Sequence, residues 1–385
     1  MAASPAQRRP AKVQHPLSGS TLRNWLSLLV QNGGVSLPYL PRALSITGMT
    51  LANAPLRLAE TLRYGRQIQQ TEITEPPVFI LGHWRSGTTH LHRLMVQDDQ
   101  WGYVSSLQAF VPEAFLTLQR MLASNLQDFW PEVRLMDNVS YSPTVPEEED
   151  YSLANVSPFS FYCCWYFPER MQEIYRRSVL LSDLSEADRR RWQQSYLKIL
   201  KKATFHSGGK QLVIKNPSNT ARIPELLKLF PDAKFIHIYR NPYDVYTSTV
   251  RFSQKMVPHY ALQTIDEAEF EENILTFYQQ LMQVFFDTVD LIPADNFVEI
   301  SYEDFENNEV ACMEHIYKRL TLPGFDQAKP KFQAYIADQA DYQKNQYTLD
   351  ETTKARVYDR WQDAIDRWAR LPQINQAAVY SSTEG

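Results

Sequence analysis

One stretch constrains this chain more than any other: Val78 to Met95, VFILGHWRSGTTHLHRLM. Val78, Phe79, Ile80 and Leu81 form an unbroken apolar run behind Pro76 and Pro77, the pattern of a strand buried on both faces. Gly82 ends the run. Arg85, Ser86, Gly87, Thr88 and Thr89 make a tight polar loop, and Leu91, Leu94 and Met95 then recur at helical spacing. Strand, glycine-bounded loop and helix in that order aim N–H groups at one point, where an anion is favoured. An ATP loop of the G-x-x-x-x-G-K-[ST] type would carry a lysine after its second glycine. Here Gly82 and Gly87 have that separation, but Thr88 stands in the lysine position and Arg85 is the loop's cation. An ordinary strand–turn–helix corner would have little packing use for an arginine and three hydroxyls in so short a loop.

A second stretch, Gln211 to Phe252, repeats the strand–helix alternation. Gln211–Ile214 reads as a short buried strand ending at Lys215. A helix with Ile223, Leu226, Leu227 and Leu229 on one face follows, then a strand from Lys234 to Tyr239 ending at Arg240, then a helix that contains Ser248. Asn296–Tyr302 reads as a further strand behind a long helix over Ala268–Leu291. Strands and helices alternating with short connections predict a parallel sheet, and ligands bind such sheets at the carboxyl ends of the strands. Arg85, Lys215 and Arg240 all fall at that edge, which points to a ligand with several negative charges. Elsewhere Phe110–Leu126 reads as one helix, and Leu184–Thr204 as an amphipathic helix capped by Ser182 or Ser185.

The loop G-x-x-R-S-G-T-T between strand and helix resembles the phosphosulfate loop of sulfotransferases that use 3′-phosphoadenosine 5′-phosphosulfate (PAPS). Tyr239-Arg-Asn-Pro-Tyr-Asp-Val-Tyr-Thr-Ser248 resembles the same family's 3′-phosphate motif. The resemblance runs from about Pro76 to Leu349 and follows the bacterial-type branch. It implies a P-loop-like α/β fold, a parallel sheet flanked by helices, with an N-terminal helical extension. It also implies that Arg85, Ser86, Gly87, Thr88 and Thr89 hold the phosphosulfate, and that Arg240 and Ser248 clamp the 3′-phosphate. Tyr302 would lie by the adenine. His90 stands where the family often has a tryptophan stacked on that base. Lys344, within Tyr342-Gln-Lys-Asn-Gln-Tyr-Thr-Leu349, would assist at the 3′-phosphate. The implied reaction moves a sulfuryl group from PAPS to a hydroxyl, or an amine, of a small-molecule or lipid acceptor. No metal is implied. Lys215 and Arg85 would neutralise developing charge, as cations do in phosphoryl transfer. An atypical P-loop kinase and a non-catalytic nucleotide-binding relative are the alternatives.

An attacking hydroxyl needs a proton acceptor. The branch's E-D-E segment aligns with Glu148, Glu149 and Asp150, which gives Glu148 as the base and Glu149 as its runner-up. Close carboxylates raise one another's proton affinity, bringing a base nearer neutral pH. His83, in the loop itself, is the other catalytic candidate. Asn219 stands where the branch often has a histidine and cannot take a proton. The aromatics between Ser157 and Pro168 are either plain core or the wall of an acceptor pocket.

The net charge of −5 excludes nucleic-acid binding by bulk electrostatics. Three cysteines, two of them adjacent, do not make a disulfide framework, and no C-x-x-C pair is present, so a cytoplasmic setting is expected. Domain organisation is expected as a tail and helical extension over residues 1–75 and a sulfotransferase-like unit over residues 76–385. Residues 17–70 are helical, cut by prolines and rich in apolar side chains. They either pack on the core or make weak contact with a membrane surface, which would leave the enzyme peripheral to the membrane. Oligomeric state cannot be read from the sequence.

Overall fold

The computed structural model describes residues 14–122, 125–127, 130, 141–339 and 349–370. Three helices come first: α1 (Leu22–Gln31), α2 (Leu40–Ala52) and α3 (Ala54–Gln70). β1 (Val78–Leu81) leads into α4 (Thr88–Met95), the short strand β2 (Trp101–Gly102), α5 (Ser106–Phe110) and α6 (Phe115–Leu122). Four helices follow, α7 (Glu149–Val156), α8 (Cys163–Tyr166), α9 (Met171–Tyr175) and α10 (Glu186–His206), before β3 (Gln211–Lys215). Next come α11 (Ile223–Leu229), β4 (Lys234–Tyr239), α12 (Pro242–Tyr260), α13 (Glu267–Thr288) and β5 (Phe297–Ser301). The last helices are α14 (Tyr302–Asn307), α15 (Glu309–Arg319), α16 (Phe325–Asp338) and α17 (Glu351–Ala369).

The five strands pair in parallel in the order β2-β3-β1-β4-β5. β1 is central, and all four of its residues are fully buried, as a run of Val, Phe, Ile and Leu requires of a strand covered on both faces. Its side chains alternate between two cores. Phe79 and Leu81 join Ile214 and Phe235 on one side; Val78 and Ile80 join Val213, Ile236 and Ile238 on the other. Ile80 is in register with Lys215 on β3 and Ile236 on β4. β4 runs past His237, the partner of Leu81, to Tyr239, and the segments that follow the three central strands emerge along the carboxyl edge of the sheet.

The N-terminal helices pack on this body. Leu17, Trp25, Leu28, Ala43 and Ile46 belong to the same core as Phe79 and Leu81. Arg42 donates to the backbone carbonyl of Ala261, and Asn24 Nδ2 donates to the carbonyl of Ala154 (2.8 Å). α3 is fixed to α10 by Glu60 and Lys202, whose charged atoms lie 2.5 Å apart with side chains 2% and 6% exposed. Among the described residues no helix is long and apolar enough to cross a membrane.

Three local expectations are corrected. Phe110–Leu126 is not one helix: α5 ends at Phe110 and α6 begins at Phe115, because Pro112 lacks an N–H and Val111 leaves the helical region (φ −132°). Ser185, not Ser182, caps α10, accepting from the Asp188 N–H. Tyr302 opens α14 instead of ending β5, since Ser301 accepts the Asp304 N–H (3.0 Å) and caps a helix there.

The Glu60–Lys202 pair makes a stability prediction. Glu60→Ala leaves a buried ammonium without its counter-ion, and should cost roughly 3–5 kcal/mol. Arg176→Ala, which breaks an ion pair whose side chains are 44% and 50% exposed, should cost less than about 1 kcal/mol. Thermal and denaturant unfolding of the two variants side by side checks the contrast.

Candidate active site

The cradle begins where β1 stops. Gly82 has φ 142°, and a Cβ there would sit 2.4 Å from the Ile238 carbonyl oxygen, so only glycine fits. Thr220 anchors the turn by accepting from the Gly82 N–H (2.8 Å) and donating to its carbonyl (3.1 Å). Arg85 adopts a left-handed conformation (φ 73°), unusual for a side chain with a Cβ, and Gly87 follows at φ 91° as the N-cap of α4. The first-turn N–H groups of α4, from Thr88 and Thr89 onward, have no intrahelical acceptor and face the loop. Ser86 and Thr88 are buried, whereas Thr89 is partly open.

Three sequence candidates meet at the far side of this loop. Arg85 Nε donates to Ser248 Oγ (3.0 Å), and the Arg85 guanidinium lies 4.9 Å over the Phe252 ring. Arg240 Nη1 donates to the Arg85 carbonyl (3.3 Å), and its guanidinium lies 4.7 Å over the Tyr302 ring. Tyr302 in turn packs against Gly87 so closely that a Cβ on residue 87 would fall 2.2 Å from the ring. His90 lies on α4 between Phe305 (ring centroids 5.1 Å) and Glu309 (3.9 Å), and is about one-third exposed. Lys344 lies outside the described residues.

On the other side, at the end of β3, the structure joins two candidates far apart in the chain. Lys215 Nζ donates to Glu148 Oε1 (2.5 Å), and Tyr162 Oη donates to Glu148 Oε2 (2.6 Å). Glu148 is the N-cap residue of α7, and Glu149 and Asp150 fill its first turn, where the helix dipole favours carboxylates. Burial raises the Glu148 carboxyl above its ordinary range, with the Lys215 charge opposing that shift. Glu149 accepts from Tyr196, Asn216 and Asn219 through one oxygen (2.8, 3.0 and 2.8 Å). Burial pushes Glu149 up to about 7. Asp150 is held by Arg222 (3.0 Å), Ser160 (2.9 Å) and the Phe161 N–H (2.7 Å).

Sequence reasoning did not single out Tyr162, Asn216, Tyr196 and Arg222, and considered Asn219 only as a failed base. The available signal was K-N-P-S-N after a buried strand: amides placed at a sheet edge have to be satisfied by something polar.

A narrow apolar cavity of about 40 Å³ opens beside the cradle. His83 and Trp84 of the loop line it with Phe161, Trp165, Phe252 and Ile274. Trp84 stacks on Phe161 (ring centroids 4.0 Å). Aromatics of the 157–168 stretch thus serve both as core and as cavity wall. His83 Nδ1 bonds the Trp84 carbonyl (2.7 Å), and burial lowers its ring to about 4, so it is neutral near pH 7.

These residues fit a nucleotide with phosphates at two places. The cradle presents backbone donors at a helix N-terminus, and Arg240 keeps a buried Nε without a hydrogen-bond partner among the described residues. Lys215 adds a cation at the strand ends next to the cradle.

Comparison with known proteins agrees with that chemistry. The model of a family described as "Sulfotransferase family" matches residues 76–327. The omega-hydroxy-beta-dihydromenaquinone-9 sulfotransferase Stf3 of Mycobacterium bovis is 30% identical over 351 residues, covering 91% of this chain and 90% of that protein. Its Mycobacterium tuberculosis counterpart matches equally. Among solved structures, sulfotransferase STF9 from Mycobacterium avium superposes with a TM-score of 0.64 at 18% identity, over 90% of this chain and 96% of that one. Sulfotransferase STF1 from Mycobacterium tuberculosis H37Rv gives 0.62 at 16% identity, over 88% and 90%. These two share the fold. A family match across most of the chain, and a 30% identical relative along nearly all of it, show that this chain belongs to the sulfotransferase family.

Proposed function

We propose that this sulfotransferase moves the sulfuryl group of PAPS onto a hydroxyl of an apolar, lipid-like acceptor, with Glu148 taking the hydroxyl proton. The observation that carries this reading is the buried Glu148–Lys215 pair at the end of β3. It puts a carboxylate of raised proton affinity and a cation at the sheet edge that also bears the cradle. When bound, PAPS supplies the activated sulfuryl group. The backbone donors of residues 85–89, with the Ser86, Thr88 and Thr89 hydroxyls, hold its phosphosulfate. Arg240, Ser248 and Arg85 hold the 3′-phosphate, Arg85 by its observed contact with Ser248. Tyr302 and His90 border the adenine side.

Each Glu148 oxygen is held by one donor, so lone pairs remain to accept the acceptor's proton. As that proton arrives, Lys215 loses its counter-ion. Its charge then becomes available to the anion beside it, so proton transfer and charge neutralisation rise together.

The aromatic cavity supports the acceptor class. It shares Phe252 with Arg85, and Tyr162 touches both Glu148 and its wall residues Phe161 and Trp165. Its lining is mostly apolar, and Trp84 Nε1 and Thr249 Oγ1 are buried with no partner among the described residues, two polar anchors for a ligand. The mycobacterial relatives are named for a hydroxylated dihydromenaquinone, an acceptor of this kind. Such an acceptor is met in a lipid phase, so a membrane surface is the proposed setting of the reaction.

Two tests follow. Adenosine 3′,5′-bisphosphate without magnesium should raise Tm more than ADP with magnesium does, and at a hundredfold excess over Kd should stabilise by about 2.7 kcal/mol. Arg240→Ala should weaken bisphosphate binding by roughly 1.5–3 kcal/mol and leave AMP binding nearly unchanged. Equal losses for both nucleotides would remove Arg240 from the 3′-phosphate.

Glu148→Gln should retain the bisphosphate-induced rise in Tm yet lower turnover roughly 10²–10⁴-fold. The wild-type kcat/KM should fall on its acid side at a pH above the ordinary carboxylate range. Burial raises this group, so the base form disappears as pH falls through a raised value. Normal turnover in Glu148→Gln, with collapse in His83→Asn, would move the base to the cradle loop.

A further inference from the structure

The N-terminal helices carry a surface unlike the rest of the molecule. Among the described residues eleven large apolar side chains are exposed, and eight of these fall between residues 26 and 62. Leu26 and Val30 stand one turn apart on α1, Leu44 and Leu51 share a stripe on α2, and Leu58 and Leu62 stand one turn apart on α3. The inward faces are differently composed: Trp25 and Leu28 on α1, Ala43 and Ile46 on α2, Glu60 and Ile68 on α3. α1 and α2 thus turn apolar residues to the core and α3 turns Glu60 and Ile68 to it, while all three present further apolar side chains to solvent. Exposed leucines in such numbers, confined to one segment, mark a contact surface.

The charge of this segment is equally lopsided. Residues 1–70 hold eight Lys or Arg and one acid, against 31 and 43 in the remaining chain, so +7 stands against −12. The one acid, Glu60, is buried against Lys202 and shows no charge to solvent. Arg23, Arg63 and Arg66 are exposed, while Arg42 and Arg57 are occupied with backbone carbonyls. An apolar outer stripe flanked by arginine, with no exposed acid of its own and with Glu169 of the body bonded to Ser36 between α1 and α2, matches the boundary of an anionic bilayer, where apolar side chains enter the acyl edge and cations meet headgroups.

We infer that α1, α2 and α3 form a docking face for an anionic lipid bilayer. The contact rests on the proposed acceptor class only for its use; the binding itself needs no turnover. Its position suits that use. Arg42 on α2 grips the Ala261 carbonyl at the end of α12, the helix that supplies Phe252 and Ser253 to the aromatic cavity. The docked face is therefore fastened to one wall of the acceptor cavity.

The test is flotation of the full chain with vesicles of phosphatidylcholine alone and with vesicles of equal parts phosphatidylcholine and phosphatidylglycerol. The wild type should float with the mixed vesicles, and less so at high salt or with phosphatidylcholine alone. The double variant Leu44→Glu, Leu58→Glu should lower the bound fraction on the order of tenfold. Its Tm, its stabilisation by adenosine 3′,5′-bisphosphate and its turnover of a water-soluble alcohol should stay at wild-type values, since both side chains are exposed. Absence of wild-type flotation, or equal flotation of the variant, overturns the inference. So does a wild-type dimer in gel filtration that the variant dissolves without any vesicle binding, because the face then meets a second copy. Flotation as expected with no turnover of any alcohol would leave the docking face standing and sink the proposed acceptor class instead.

Discussion

The site depends on one ion pair kept out of water. A carboxylate and an ammonium at 2.5 Å, both nearly inaccessible, are stable only while each has its full set of partners. Tyr162 completes one oxygen of Glu148. Behind the pair, Glu149 Oε1 and the Asp150 carboxylate accept from amides, a tyrosine and a buried arginine, so the first turn of α7 is bonded to the segment after β3. The acid cluster is thus stitched to the sheet. A carboxylate set at a helix start and a cation set at a strand end keep their separation because the elements carrying them are joined by a polar network.

That network lies along the edge where the parallel strands end. The ends of β1, β3 and β4 bring out Gly82, Asn216 and Arg240 along that edge, Arg240 furthest because β4 runs on to Tyr239. The first turns into a cradle of N–H donors, the second reaches toward the carboxylates, and the third lies over Tyr302. The loop borders both features, since His83 and Trp84 line the aromatic cavity while Ser86 to Thr89 form the cradle.

Much of this was legible in the residues. The apolar run of β1 and the glycines around Arg85 announced strand, loop and helix because burial and positive φ each demand a narrow set of side chains. Arg240 and Ser248 stood out in the sequence through resemblance to a family motif, an arginine at a strand end and a serine one to two helical turns later. The Glu148–Lys215 contact was not, because 66 residues of intervening chain fold between them and no local pattern encodes which acid meets which base. Helix boundaries failed where a single backbone feature decides them, as at Pro112. The split of the 157–168 aromatics between core and cavity also escaped the sequence, since stacking on Trp84 depends on the loop's final path. The outward leucines of α1 to α3 look the same in sequence as the inward ones; only packing separates them.

The contact between Gly87 and Tyr302 has a consequence for how such a site can change. The ring fills the space that any larger residue at position 87 would need, and Arg240 lies over the same ring. Replacing the glycine displaces the aromatic, and displacing the aromatic moves the arginine. Positions 87, 240 and 302 therefore form an epistatic unit: a substitution tolerated at one of them depends on what the other two already are, and single-step drift through this corner is blocked even where each residue on its own looks replaceable.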